Sequence, residues 1–265
     1  MFLTRALTVL VALPIFAAAL ILLPQWLWAL FLLPALFIAG LEWAALAGYR
    51  PAARWVFAAF TTVSALVLCY LPSAGPTVDV WIYALSCAFW VAVAPFWVAE
   101  RWSVRQPLAL AAVGWIAIVP MWLALVRLQV QPYALLMFMS VVWVADTAAY
   151  LAGRKWGRHK LAPAISPGKS WEGVLGAVAA LGIYYAVLWL MVPAGERLFG
   201  AAMGLALFMA LLALSIEGDL FESWMKRQAG VKDSGNVLPG HGGILDRIDG
   251  LTSTMPAAAL ALYLH

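Results

Sequence analysis

Long apolar runs separated by short polar stretches set the rhythm of this chain. A membrane-crossing helix needs about 20 mostly apolar residues. By that measure nine candidate helices follow one another, at about 5–23, 26–47, 53–71, 79–99, 106–126, 133–152, 173–193, 198–217 and 249–264. Only Pro24 and Gln25 divide the first two, so a tight hairpin or a pair of partly inserted helices would give the same pattern. The longest polar connections run over about 153–172 and 218–248. The pattern predicts an all-α, polytopic integral membrane protein with one domain over 1–265, divided into N-terminal helices over about 1–130 and a more polar half over about 131–265. The first run follows Arg5 and offers the small residues Ala17 to Ala19 to a signal peptidase. Further spans follow it, so it is read as a retained helix.

Composition agrees with the pattern. The 265 residues are 66% hydrophobic and 11% charged, against about 45–50% apolar and about 25% charged in a soluble domain, and the mean hydropathy is +0.94. Basic residues sharpen the topology, because cytoplasmic loops retain positive charge. With the N-terminus inside, the inner loops hold Arg5, Arg50, Arg54, Arg101, Arg105, Arg154, Lys155, Arg158, Lys160, Lys169, Lys226, Arg227, Lys232 and Arg247. Only Arg127 and Arg197 fall outside, and both long polar connections then face the cytoplasm. The net charge of +4 and pI near 9.2 therefore reflect membrane topology and predict no nucleic-acid partner. Cys69 and Cys87 lie in or beside apolar runs and are read as small buried hydrophobes, without a disulfide. Trp26, Trp28, Trp43, Trp55, Trp81 and Trp102 are read as interfacial anchors near helix ends, and Glu42 as a snorkelling acid at an inner end.

Half of the acids crowd into one short stretch: Glu217, Asp219, Glu222, Asp233, Asp246 and Asp249 lie among Lys226, Arg227, Lys232, His241 and Arg247. So many charges of both signs in an oily chain suit a multiply charged ligand, most simply a phosphate with its metal ions. Asp219, Glu222, Ser223 and Lys226 are spaced i, i+3, i+4 and i+7, so a helix continuing past Gly218 would put all four on one face. Two carboxylates and a hydroxyl can hold a hard cation, while the lysine meets the phosphate that the cation bridges; a solvated ion-paired face is the plainer alternative. Asp246 and Asp249 begin the last apolar run, where acids can also simply complement the helix dipole. Gly240, Gly242 and Gly243 around His241 would let backbone N–H groups approach an anion. Upstream, Asp146 interrupts an apolar run, at about 2.5–3.5 kcal/mol on insertion scales, and should face a polar cavity or pair across helices. Gly168, Lys169 and Ser170 resemble the end of a P-loop, but the first glycine would fall at Pro163 and no strand precedes it, so that site is rejected.

Together Ser223, Met225, Lys226, Arg227, the run Lys232 to Gly235 and the run Leu238 to Asp249 resemble the signature of the phosphatidate cytidylyltransferases. Asp146 to Tyr150 and Ser166 to Gly173 are similar to two further blocks of that family, so the likeness is close over the C-terminal half. Gly168 stands where the family pattern carries lysine, and Glu217 is an acid outside that pattern with no role assigned. The resemblance implies a nucleotidyltransferase that joins CTP to phosphatidic acid in phospholipid synthesis, releasing pyrophosphate and using Mg2+ with a second cation. A bacterial inner membrane is expected, with catalytic helices in the half after about residue 131; the basic-residue bias puts the active site on the cytoplasmic side, and a homodimer is left open.

On this reading Asp219 and Asp246 lead the metal ligands, with Asp249 and Glu222 in support. Lys226, Arg227, Lys232 and Arg247 meet the triphosphate, the departing pyrophosphate or the lipid phosphate. Gly240, Gly242 and Gly243 line the phosphate site, Asp233 and His241 orient that shell, Ser223 stands beside the first acids, and Lys169 and Asp146 lie at the cavity edge. A CTP-dependent polyprenol kinase would need the same cation and phosphate site and differs in its products. A transporter would tolerate intramembrane acids but would not require basic and glycine-rich segments on one side.

Overall fold

The structure, a computed structural model, describes residues 14–70, 77–237, 240 and 242–265. Helix α1 is described over 14–22, and the rest of the span expected at 5–23 lies outside the described residues. After it come α2 (Gln25–Leu46), α3 (Pro51–Tyr70), α4 (Thr77–Ala99), α5 (Pro107–Leu128), α6 (Pro132–Trp156), α7 (Trp171–Met191), α8 (Ala201–Gln228) and α9 (Leu245–Tyr263). The chain is an all-α polytopic membrane protein. Among the described residues seven helices, α2 to α8, are long and apolar enough to cross a membrane.

Helix α9 falls short of that measure because it does not need it. It packs among α4, α5, α6 and α8, so protein surrounds it and polar residues can be paired internally. Ser253 Oγ donates to the Leu214 carbonyl at 2.7 Å and Thr254 Oγ1 to Gly250 at 2.8 Å.

Local signals fix the ends. Pro51, Pro107 and Pro132 open α3, α5 and α6, where the missing N–H would have had no helical partner. Gly48 at φ 75° closes α2 and Gly230 at φ 72° closes α8, and in each the next residue's N–H reaches back to a carbonyl of the last turn, Tyr49 to Ala44 and Val231 to Lys226. Helix α4 carries a π-helical turn at Phe89–Val93 just before Pro95, which has no N–H to give the regular ladder.

Three expectations are corrected. Helix α8 runs to Gln228 instead of ending near 217, so the polar connection shrinks to 229–244 and the charged run is helical. The 153–172 connection holds an antiparallel hairpin, β1 (Lys160–Ala162) against β2 (Ser166–Ser170), and Ser170 Oγ caps α7 by accepting from Gly173 N–H. Trp28 and Trp43 are buried anchors of the bundle, whereas Trp26, Trp55, Trp81 and Trp102 are exposed. Each buried indole donates to α5, Trp28 to Leu125 at 3.0 Å and Trp43 to Leu110 at 2.9 Å, and Gly114 leaves the space that Trp43 fills. Cys69 and Cys87 are free thiols, half-buried where full burial was expected.

The helix ends near the hairpin are tied together. Trp224 Nε1 donates to Trp102, Gln228 Nε2 to Val104 and Arg227 Nε to Ile165. At the opposite end of α5, Arg127 pairs with Asp79 of α4 at 2.9 Å, and Tyr263 of α9 donates to the same carboxylate.

Candidate active site

Phe221 sets the rotation of α8. Its ring lies between Trp43, Phe89, Trp90 and Trp97, with centroid separations of 5.4–6.3 Å. With that side buried against α2 and α4, the helical period turns Asp219, Glu222, Ser223 and Lys226 to a common charged face. The shared face is present, and its members pair with one another: Ser223 Oγ donates to Asp219 Oδ1 at 3.2 Å, and Lys226 Nζ meets Glu222 Oε2 at 2.7 Å. Glu222, Ser223 and Lys226 are buried, while the Asp219 side chain keeps 34% of its surface open. The face is thus closed toward Lys226 and open toward Asp219.

Asp246 completes the closed end. Its Oδ1 accepts from Lys226 Nζ at 2.6 Å, and its Oδ2 accepts from Ser234 N–H, Ser234 Oγ and Gly243 N–H at 2.9, 3.0 and 2.9 Å. Both oxygens are therefore engaged, and Asp246 anchors the 229–244 loop to α8 and α9. Burial opposes its ionisation, but the Lys226 ammonium and the loop donors outweigh burial and hold the carboxyl below the usual aspartate range.

Glu42 of α2 supports the same loop, which sequence reasoning missed. It is 6% exposed rather than snorkelling. Its carboxylate shares the Ser234 hydroxyl proton with Asp246, at 2.9 Å, and accepts from Ile244 N–H at 3.1 Å and Leu245 N–H at 2.8 Å, satisfying the first amides of α9 in the manner of a cap supplied by another helix. A Cβ on Gly243 would stand 2.5 Å from Glu42 Oε2, so the turn has room only for glycine there. The one available signal was an acid inside an apolar run, the general mark of an intramembrane functional group.

The open end adds two further helices, α6 and α9, and the hairpin. Lys169 of β2 pairs with Asp219 Oδ2 at 2.8 Å and donates to the Ile216 carbonyl at 3.3 Å. Asp146 of α6 is exposed and within electrostatic reach of both Asp219 and Lys169. Asp249 of α9 is within reach of Asp219, Glu222 and Asp146, because Gly218 lets the two helices touch: a Cβ there would lie 2.6 Å from the Asp249 carbonyl oxygen. Glu217 Oε1 is buried without a hydrogen-bond partner among the described residues.

Several expected contacts are more peripheral. Arg227 is exposed and spends its guanidinium on the Ile165 and Val231 carbonyls at 3.2 and 3.3 Å. Lys232, Asp233 and Arg247 are exposed, and no ion pair among the described residues holds them. Gly240 and Gly242 take φ of 75° and 80°, the left-handed region open to glycine, and Gly242 lies beside Asp246 and Asp233. His241 lies outside the described residues.

Hard carboxylate oxygens in this number suit a small divalent cation. Asp146, Asp219 and Asp249 act on one another electrostatically and are the carboxylates nearest the open end, where Glu217 Oε1 is also unpaired among the described residues. No three carboxylates among the described residues are already gathered around a single point; Lys169 pairs with Asp219, and Lys226 lies between Glu222 and Asp246. Such a cluster can neutralise and align polyphosphate groups.

The chain matches known proteins along almost its whole length. Residues 3–265 fit the model of the cytidylyltransferase family. The chain is 40% identical to the phosphatidate cytidylyltransferase of Pseudomonas aeruginosa over 277 aligned positions, which cover 98% of this chain and 96% of that one. It is 46% identical to the enzyme of that name from Haemophilus influenzae over 127 positions, covering 47% of this chain and 43% of the other. A Brucella suis protein of the same name is 46% identical over 131 positions, covering 49% and 45%. A cluster of acids and lysines drawn from α6, α8, α9 and the hairpin thus sits in a chain that belongs to the cytidylyltransferase family.

Proposed function

We propose that this chain transfers the cytidylyl group of CTP to phosphatidic acid, forming CDP-diacylglycerol and pyrophosphate. The observation that carries the proposal is the linked set Lys169–Asp219 and Glu222–Lys226–Asp246, in a chain 40% identical over nearly its full length to a phosphatidate cytidylyltransferase. In the reaction a phosphate oxygen of the lipid bonds to the α-phosphorus of CTP while the bond to the β-phosphate oxygen breaks. The lipid phosphate is already ionised near neutral pH, so no strong general base is needed. Alignment of two anions and neutralisation of their charge are the tasks left to the protein.

Lys169 at the open end and the exposed Arg227, Lys232 and Arg247 supply the positive charge that meets the phosphates. Lys226, held between Glu222 and Asp246, keeps α8 and the 229–244 loop in register behind them. A divalent cation on Asp219, Asp249 and Asp146, when bound, would draw charge from the transferring phosphoryl and the leaving pyrophosphate. The reaction belongs in a bacterial inner membrane with the cleft facing the cytoplasm, where CTP is made; the clustering of basic loops supports that orientation.

Purified protein in detergent, given CTP labelled in the base, phosphatidic acid and Mg2+, should place the label in the lipid and release pyrophosphate. Release of labelled CDP with a phosphorylated lipid would instead establish a CTP-dependent kinase.

A further inference from the structure

Lys169 and a cation compete for one carboxylate. The ammonium holds Asp219 Oδ2 at 2.8 Å, and Asp219 Oδ1 already accepts from Ser223. A hard cation that takes Asp219 through Oδ2 displaces Lys169, because two positive charges on that one oxygen repel strongly. A displaced lysine in a half-buried cleft needs another acceptor.

We propose that Glu217 is a positioning residue, the second seat of the Lys169 ammonium when a divalent cation claims Asp219. The inference rests on the cation reading of the cleft given above. Glu217 follows Ile216, whose carbonyl Lys169 already reaches at 3.3 Å. Its Oε1 is buried and has no donor among the described residues, and Lys169 is the charged group that acts on it. Asp146 also lies within reach of Lys169, but it faces Asp219 as well and belongs with the cation ligands.

The move needs only the side chain. Strand pairing with Lys160–Ala162 and the Ser170 cap fix the backbone on either side of Lys169, while four methylene groups let the ammonium swing by a few ångströms. Glu217 thereby lowers the cost of clearing Asp219 and keeps Lys169 at the rim of the cleft.

The test uses purified full-length protein in detergent and Mn2+ as the probe, with binding read from the loss of the free-ion electron paramagnetic resonance signal in the absence of nucleotide and lipid. Glu217→Gln should weaken Mn2+ binding by roughly tenfold, the equivalent of about 1.4 kcal/mol, with the thermal unfolding temperature unchanged. Lys169→Met should tighten binding, and adding Glu217→Gln to Lys169→Met should have no further effect. Equal weakening by Glu217→Gln with and without Lys169 would make Glu217 a direct ligand and overturn the proposal, as would no weakening at all. A wild type that takes up no Mn2+, or an Asp219→Asn variant that binds it normally, would overturn the cation reading of the cleft and this inference with it.

Discussion

Replacing Asp219 and Asp246 by asparagine separates two tasks performed by the same side chain. Asp219 is partly open and tied by one lysine and one hydroxyl, so Asp219→Asn should lower turnover at least about 100-fold while the thermal unfolding temperature stays near that of the wild type. Asp246 is 5% exposed at its side chain and accepts from four donors. Asp246→Asn leaves Lys226 buried with only Glu222 and should cost stability as well, about 3 kcal/mol, read from denaturant unfolding in micelles. The folded Asp246 carboxyl titrates below its unfolded value of about 3.9. Its stabilisation is therefore complete above that pH and disappears as pH falls through the folded value. The stability gap between wild type and Asp246→Asn should accordingly be constant near neutrality and shrink below about pH 4. Glu42→Ala removes the acceptor of two backbone amides and a hydroxyl, and should destabilise by about 2–4 kcal/mol, with proteolysis appearing first in the 229–244 loop. The sequence spacing was enough to foresee that Asp219, Glu222, Ser223 and Lys226 share one helix face, because helical periodicity is local. It could not foresee Glu42 on the loop, because that contact joins residues about 200 positions apart and depends on how α2 packs.

At the scale of elements, the cleft depends on how closely α8 and α9 approach. Gly218 stands against the Asp249 carbonyl and Ser253 Oγ, so Gly218→Val must push the helices apart and separate Asp219 from Asp249. That variant should insert in the membrane yet lose nearly all turnover, whereas Gly182→Val, on a helix face with open space, should retain it; membrane extraction followed by activity measurement checks both. Helix boundaries were legible from apolar length wherever lipid or apolar core surrounds a helix. They failed where protein supplies the environment: α8 continues 11 residues past the expected end, from 217 to Gln228, because its charged turn pairs with β2 and α9. Helix α9 keeps its hydroxyl-rich stretch because neighbouring carbonyls accept its donors. The hairpin at 160–170 carried no alternating apolar pattern to reveal it and is held by His159–Glu172 at 2.6 Å and Arg227–Ile165 contacts.

For the whole molecule, the polar asymmetry read from lysine and arginine becomes an asymmetry of structure. The charged cleft and the tied loops gather at one end of the bundle, while the Asp79–Arg127 pair closes the other. In a chain with Cys69 and Cys87 replaced by alanine, Asn236→Cys should react with a membrane-impermeant maleimide only in inverted vesicles, and Gly195→Cys only in intact spheroplasts. The reverse labelling would place the cleft on the outer face. Family membership was legible from the run ending at Asp249, whereas the division of labour among the carboxylates was not, because it is set by which acid each lysine reaches. Cytidylyl transfer by the Asp219→Asn protein, measured as label passing from CTP into lipid beside an equally folded wild type, tests the cleft most directly. Loss of transfer with intact unfolding behaviour is the predicted result; transfer at the wild-type rate would contradict the assignment of the chemistry to this cleft.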